Sequence, residues 1–278
     1  KALYEQHLAA VRGSVIRHGQ AVVVLEDPVE DVRLGSGRTV SYHLERVQRN
    51  LDELRKVYPA LKNKNLVDMR IIILPAGGLS TRFPIGLAFG TKMLAKLPLL
   101  LKNKQGVGKQ AYTILDFVLR GGYRFTQALA ERNQPGLVNL AGDSILLTPK
   151  PEIGDGLTNI TAPGTISGAK DRLGVEFIDP ETRQVRVFRE KPSIQDMGAH
   201  PVLKTLYNFK EPETRQLTVN TATWILSDAD QTRYKSHLEA ILAIEEFIAQ
   251  RQSKKEPIYD LDVSMDFFIP MTAGEDEY

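Results

Sequence analysis

Two short apolar runs constrain the fold of this chain more than any other feature. Residues Met69-Arg70-Ile71-Ile72-Ile73-Leu74 and Leu137-Val138-Asn139-Leu140-Ala141 are too short for stable helices and too uniformly apolar for half-exposed strands. Their continuity predicts central strands covered on both faces. Each run stops at small or acidic residues, the first at Pro75-Ala76-Gly77-Gly78 and the second at Gly142-Asp143. Between and around them lie helical patterns. Val40, Leu44, Val47, Leu51 and Leu54 share one helical face, in a helix expected to end near Pro59. Residues 110–119 read as a second helix, and Leu238, Ile241, Ile244, Phe247 and Ile248 mark a third. Strands alternating with helices predict an α/β fold: a mixed, mostly parallel sheet with helices on both faces. Ligands of such sheets sit beyond the carboxyl ends of the strands.

The remaining punctuation refines this outline. Residues 19–28 read as a short buried strand stopped by Asp27-Pro28, and residues 33–40 as a glycine-serine turn whose Thr39 or Ser41 can cap the next helix. Gly106-Val107-Gly108-Lys109 lacks the earlier glycine and the following hydroxyl of a phosphate loop, so it reads as an ordinary loop. Residues 174–192 form a hairpin around Asp179-Pro180, and residues 219–228 form a further strand. Trp224, the single tryptophan, belongs to the core on this reading.

Composition excludes several classes of function. With 278 residues, 42% of them hydrophobic, the chain can bury a sizeable core, and residues 1–278 read as one domain. The 36 basic and 34 acidic residues leave a net charge of +2, too small for a field that gathers nucleic acid. The absence of cysteine removes disulfides, thiolate nucleophiles and thiolate metal sites. The five histidines are scattered without metal-ligand spacing. The apolar runs fall well short of the roughly 20 residues of a membrane span. The expectation is a cytoplasmic protein that binds small molecules and neither nucleic acid nor membrane.

Within this frame, residues 74–84, LPAGGLSTRFP, describe a cradle for a polyphosphate. The pair Gly77-Gly78 lets backbone N–H groups approach an anion with no Cβ between them. Ser80 and Thr81 add hydroxyl donors, Arg82 adds a permanent planar charge, and Pro84 stiffens the exit.

Five ordered elements then resemble one family. Residues 76–98, AGGLSTRFPIGLAFGTKMLAKLP, are similar to the signature of sugar nucleotidyltransferases, and most closely to the GDP-L-fucose pyrophosphorylase branch. Residues 27–40, DPVEDVRLGSGRTV, resemble the upstream aspartate-proline and glycine-serine-glycine turn of that branch. Residues 141–147, AGDSILL, resemble its metal-binding aspartate at a strand end. FREKPS (188–193) resembles its lysine-proline-serine element, and YDLDVSMDFF (259–268) its closing aspartate pattern. Three departures stand beside the matches: Arg38-Thr39 where the family has further glycines, Thr91 between Gly90 and Lys92, and a stretched spacing between Asp260 and Asp266.

The resemblance implies a Rossmann-like nucleotidyltransferase fold and a reaction. A sugar-1-phosphate oxygen would attack the α-phosphorus of a nucleoside triphosphate, GTP with L-fucose-1-phosphate by closest resemblance, giving a nucleotide sugar and pyrophosphate. Arg82, Lys92 and Lys191 are the implied catalytic cations. Gly35, Ser36, Gly37, Ala76, Gly77, Gly78, Ser80 and Thr81 are the implied nucleotide contacts. Asp143 and Asp266, or else Asp260 or Asp262, would hold Mg²⁺, a hard cation suited to carboxylate and phosphate oxygens. Gly174 is implied at the sugar, and Asn220 and Thr221 suit hydrogen bonds either to a sugar hydroxyl or to backbone. Relatives often carry a β-helix or a kinase domain, so a fragment or a minimal member is expected here, with any such domain outside this chain. Another sugar and base (UTP or ATP), or a nucleotide-sugar-binding module without turnover, are the alternative readings.

Overall fold

The computed structural model describes residues 1–16, 20–26, 35–75, 92–103, 106–141, 151–154, 157–183, 185–189 and 191–227. The two apolar runs become neighbouring parallel strands, β1 (Arg70–Ile73) and β4 (Gly136–Asn139), with Ile72 opposite Val138. β4 is buried throughout. Its alternate side chains supply two cores on opposite faces. Val138 joins Leu115, Phe125, Leu129 and Leu140 beneath helix α4 (Ile114–Glu131), whereas Leu137 joins Val40 and Leu44 of helix α2 (Gly35–Arg49). Ile72 follows Val138, and Ile71 and Ile73 pack on the α2 side. Helices therefore cover both faces of these strands, as the unbroken apolar runs require.

Strand direction departs from expectation. The main sheet has six described strands, and only β1 with β4 is parallel. β8 (Arg215–Ser227) runs antiparallel to β4, to β5 (Leu157–Thr165) and to β6 (Val175–Ile178), and β6 runs antiparallel to β7 (Val185–Arg189). The sheet is mixed and, among the described pairings, mostly antiparallel, so the mostly parallel expectation is corrected. The reason is β5: it carries Pro163 and Gly164, which argue against a strand, yet it pairs only with β8 in the described sheet, on an edge where proline is tolerated. β6 and β7 form the expected hairpin across Asp179-Pro180, where the Asp179 carboxylate accepts from the Glu181 and Thr182 amides at 2.9 and 3.0 Å.

Several local expectations are also corrected. Residues 20–26 form no strand; Val22 and Val24 lean on the core, and the segment is tied down by Tyr58, whose hydroxyl donates to the Val22 carbonyl at 2.6 Å. α2 begins at Gly35, so Thr39 and Ser41 lie inside it rather than ahead of its first turn. Val40, Leu44 and Leu51 share the predicted buried face, although the helix is broken at Asn50 before α3 (Leu51–Val57). Residues 106–109 belong to strand β3 (Gly106–Thr113), which pairs with β2 (Lys96–Asn103) in a separate antiparallel ribbon. The helix expected over 110–119 starts only at Ile114, because Thr113 and Asp116 close a capping box there: the Thr113 hydroxyl accepts from the Asp116 amide, and the Asp116 carboxylate accepts from the Thr113 amide. The same carboxylate meets His7 of helix α1 (Ala2–Ala10) at 2.8 Å and ties that helix to the core. Trp224 is core, 1% exposed. The helix expected around residues 238–248 lies outside the described residues.

Gly136 tests the packing between these layers. A Cβ at this residue would meet the Leu226 carbonyl oxygen at 2.7 Å and Leu129 at 3.1 Å, and the first of these is backbone. Gly136→Ala is expected to destabilise the fold by about 1–3 kcal/mol. Gly198→Ala, in helix α5 (Ile194–Ala199) with open space around it, is expected to be neutral or stabilising by up to about 1 kcal/mol. Urea denaturation of both variants checks the contrast.

Candidate functional site

The site is built by the way β8 divides its neighbours. β5 lines one edge of β8, from Arg215 to Leu226. The other edge is shared: β6 pairs at Thr218 and Val219, and β4 pairs from Trp224 to Ser227. Between them lies a gap over Thr221–Thr223. On its β6 side the Asn220 amide donates to the Gly174 carbonyl at 2.8 Å. On its β4 side the Ala141 amide donates to the Thr223 hydroxyl at 3.2 Å.

A bulge lies in the same place. Along β5, Ile160 faces Thr223 and the next residue, Thr161, faces Asn220, so Thr221 and Ala222 are extra residues on β8. The Thr221 hydroxyl bridges the irregularity by donating to the Ile160 carbonyl at 2.5 Å. Bulges of this kind re-aim side chains and concentrate beside active sites.

The carboxyl ends of the parallel pair open at this gap. β1 continues into Leu74-Pro75, the start of the glycine stretch, and β4 into Leu140-Ala141, the start of the Asp143 segment. The Leu140 amide donates to the Ile73 carbonyl at 2.9 Å, keeping the two exits side by side. Three predicted residues thus meet at one place, Gly174, Asn220 and Thr221, and both predicted loops depart beside them.

Lys191 leaves the sheet at the same end. Val175 faces Arg189 on one side and Val219 on the other, so Gly174 and Asn220 stand one residue beyond that row. The Asp171 amide donates to the Pro192 carbonyl at 3.2 Å, which draws the Lys191-Pro192 segment against the approach to Gly174. Lys191 has φ 43°, in the left-handed region that a β-carbon disfavours. It borders an open pocket of about 440 Å³ lined by Arg189, Lys191, Pro192, Asp196, Ala199 and His200. Ser193 holds the Asp196 carboxyl below the usual range by donating from its hydroxyl and its amide, so Asp196 is ionised at neutral pH. Burial, and then the charge of Arg189, push His200 down, so its imidazole is neutral there. The fixed cations of the pocket are Arg189 and Lys191, a setting suited to a phosphate.

The other predicted residues are placed less completely. Gly35, Ser36 and Gly37 form the first turn of α2 rather than an open loop. Lys92 starts a short 3-10 turn, Lys92–Leu94, whose Met93 is fully buried in the α4 core. Ala76, Gly77, Gly78, Ser80, Thr81, Arg82, Asp143, Asp260, Asp262 and Asp266 lie outside the described residues. Among the described residues no group of three or more histidine, cysteine or acidic side chains could hold a metal. No described helix is long and apolar enough to cross a membrane.

One residue escaped the sequence reading. Glu176 is fully buried on β6, directly opposite Phe188 and beside Asn220. Its Oε1 accepts from Asn220 Nδ2 at 2.5 Å and from Asn159 Nδ2 at 3.5 Å, and its buried Oε2 has no hydrogen-bond partner. Between Val175 and Phe177, a glutamate in a hairpin strand reads as the solvent side of an alternation. Only the long-range arrival of Asn220 and Asn159 reveals otherwise.

The described residues thus form a mixed α/β sheet with a bulged β8 and a pocket lined by Arg189 and Lys191 where the chain leaves β7. The chain belongs to the fucose pyrophosphorylase domain family, whose model matches residues 63–278. It is accordingly a nucleotidyltransferase that acts on a sugar-1-phosphate. No curated protein matches the chain significantly.

The environment of Glu176 predicts a pH dependence of stability. Burial pushes its carboxyl above the ordinary glutamate value of 4.5, against the opposing hydrogen bonds from Asn220 and Asn159. The folded chain therefore keeps this proton to higher pH than the unfolded one. Stability contributed by Glu176 is full below pH 4.5 and is lost as pH rises through the folded-state pKa. Glu176→Gln is expected to raise Tm at about pH 8 and to leave it unchanged at about pH 4. Calorimetric scans across that range check the sign.

Proposed function

We propose that this chain transfers a guanylyl group from GTP to L-fucose-1-phosphate, releasing pyrophosphate. The observation that carries the reading is the meeting of Gly174, Asn220 and Thr221 at the gap where the glycine stretch and the Asp143 segment depart. The phosphate of a sugar held there lies within reach of the strand end that carries Lys191.

The chemistry asks for positioning and charge neutralisation more than for proton transfer. Both reactants are polyanions, and the attacking phosphate is already ionised near neutral pH. No general base is needed. Arg82 would clasp the β and γ phosphates with its planar fork, while Lys92 would neutralise charge at the α phosphate or on the departing pyrophosphate. Lys191 would receive the sugar phosphate. The new bond joins a sugar-phosphate oxygen to the α-phosphorus, and the bond from that phosphorus to the bridging oxygen breaks in line. Gly77 and Gly78, with Ser80 and Thr81, would supply amide and hydroxyl donors to the triphosphate, and Gly35, Ser36 and Gly37 would border the nucleotide. The donor set fits Mg²⁺: Asp143 and one of Asp266, Asp260 or Asp262 are hard carboxylates, and the ion would offset charge on the triphosphate.

Pyrophosphate release is the direct test, with GTP, UTP, ATP, CTP and dTTP each offered with L-fucose-1-phosphate and other sugar-1-phosphates. Preference for GTP with fucose-1-phosphate is expected. Preference for another pair would overturn the substrate assignment, and nucleotide binding without turnover would favour a binding module. Asp143→Asn is expected to abolish turnover at any Mg²⁺ concentration with an unchanged Tm. Lys191→Ala is expected to raise KM for the sugar phosphate roughly tenfold or more while that for the triphosphate changes little. Equal rises in both would remove Lys191 from the sugar site.

A further inference from the structure

The pocket at the end of β7 has one wall made by the joint between two short helices, α5 and α6 (Leu203–Leu206). We propose that His200, at this joint, is a specificity residue for the sugar-1-phosphate, its Nε2–H donating to the phosphate that Lys191 receives. The proposal rests on the nucleotidyl-transfer reading.

Backbone hydrogen bonds fix His200 from both helices. Its amide closes α5 by donating to the Asp196 and Met197 carbonyls at 3.1 and 3.3 Å, and its carbonyl accepts from the Lys204 amide at 3.1 Å. Its Nδ1 accepts from the Val202 and Leu203 amides at 3.3 and 3.4 Å. Met197 and Leu203, both 0% exposed, seat the two helices in one core with Val175 and Val187 of the β6–β7 hairpin. Burial and Arg189 keep the ring neutral, and a neutral imidazole whose Nδ1 accepts carries its proton on Nε2. One nitrogen thus serves α6, and the other is a donor on a ring that borders the pocket.

Capping does not account for the choice of histidine. Aspartate, asparagine and serine are the preferred side chains for holding amides at a helix start. An aspartate here would also offset the charge of Arg189, which lies close enough to disfavour a second positive charge on His200. Histidine holds the amides, adds no negative charge to the pocket and keeps an N–H for a ligand. A phosphate uses all three features. Arg189 and Lys191 against the single carboxylate of Asp196 leave one net positive charge, which matches one phosphate better than a triphosphate. A neutral donor then adds direction without the further charge that would draw the triphosphate.

Two substitutions separate the ring nitrogens. His200→Asn places an amide oxygen near the Nδ1 position and removes the Nε2 donor, whereas His200→Gln places an amide N–H near Nε2 and removes the Nδ1 acceptor. Both are assayed on the full chain by pyrophosphate release, with KM measured separately for L-fucose-1-phosphate and GTP, inorganic phosphate as a competitor of the sugar phosphate, and Tm by calorimetry. His200→Asn is expected to keep Tm and to raise both KM for the sugar phosphate and the inhibition constant of inorganic phosphate roughly tenfold, with little change for GTP. His200→Gln is expected to lower Tm and to keep KM for the sugar phosphate within about threefold of the wild type. Equal rises in both KM values, an unchanged KM for the sugar phosphate in His200→Asn, or a rise that inorganic phosphate does not share would overturn the role of His200 while leaving the enzymatic reading intact. A wild-type chain that releases pyrophosphate with no substrate pair would overturn both.

Discussion

The architecture depends on one strand having two different neighbours along one edge. β8 pairs with β6 near Val219 and with β4 from Trp224 onward, so its backbone must cross an interval that neither strand covers. Backbone polar groups in a sheet interior demand partners, and side chains supply them where strands do not. The Thr223 hydroxyl accepts from Ala141, and the Thr221 hydroxyl donates across to Ile160. The extra residues Thr221 and Ala222 absorb the mismatch. The interval that neither strand covers is therefore a product of sheet topology, and Ala141, the last described residue after β4, is tied to its edge.

The sheet carries this interval with a firm core behind it. Alternation along β4 sends Val138 to the α4 side and Leu137 to the α2 side, and β8 repeats the pattern with Ile225 and with Trp224 and Leu226. Two independent hydrophobic cores thus grip the same pair of strands from opposite faces. Burial of this kind fixes register, since a slip of one residue would exchange the two faces. The exit points at Pro75 and Ala141 are correspondingly well defined.

How much of this was legible from the sequence varied with the range of the signal. β1 and β4 declared themselves by unbroken apolar runs, the β6–β7 hairpin by alternation around Asp179-Pro180, and the family by five ordered elements. Strand direction left no local trace. β5 was hidden by Pro163 and Gly164, which an edge strand tolerates. β3 was hidden because Gly106-Val107-Gly108-Lys109 has the composition of a loop and becomes a strand only by pairing with β2. Asn220, Thr221 and Gly174 were candidates in the sequence, but that they lie together depends on a bulge that no local pattern encodes. Glu176 was missed for the same reason, since its polar partners come from strands far away in the chain.

The two buried carboxyl groups of the described structure show how fold and site differ. Asp116 is fully buried, and both of its oxygens are used: Oδ1 meets His7, and Oδ2 accepts from the amide and hydroxyl of Thr113. Every contact serves the start of α4 or the docking of α1, so structure alone accounts for it. Glu176 is equally buried, but one oxygen serves two amides and the other serves none. A group that only stabilised the sheet would be expected to resemble Asp116, because an unsatisfied buried oxygen lowers stability. The difference assigns Asp116 to the architecture and leaves Glu176 with one buried oxygen that no hydrogen bond satisfies.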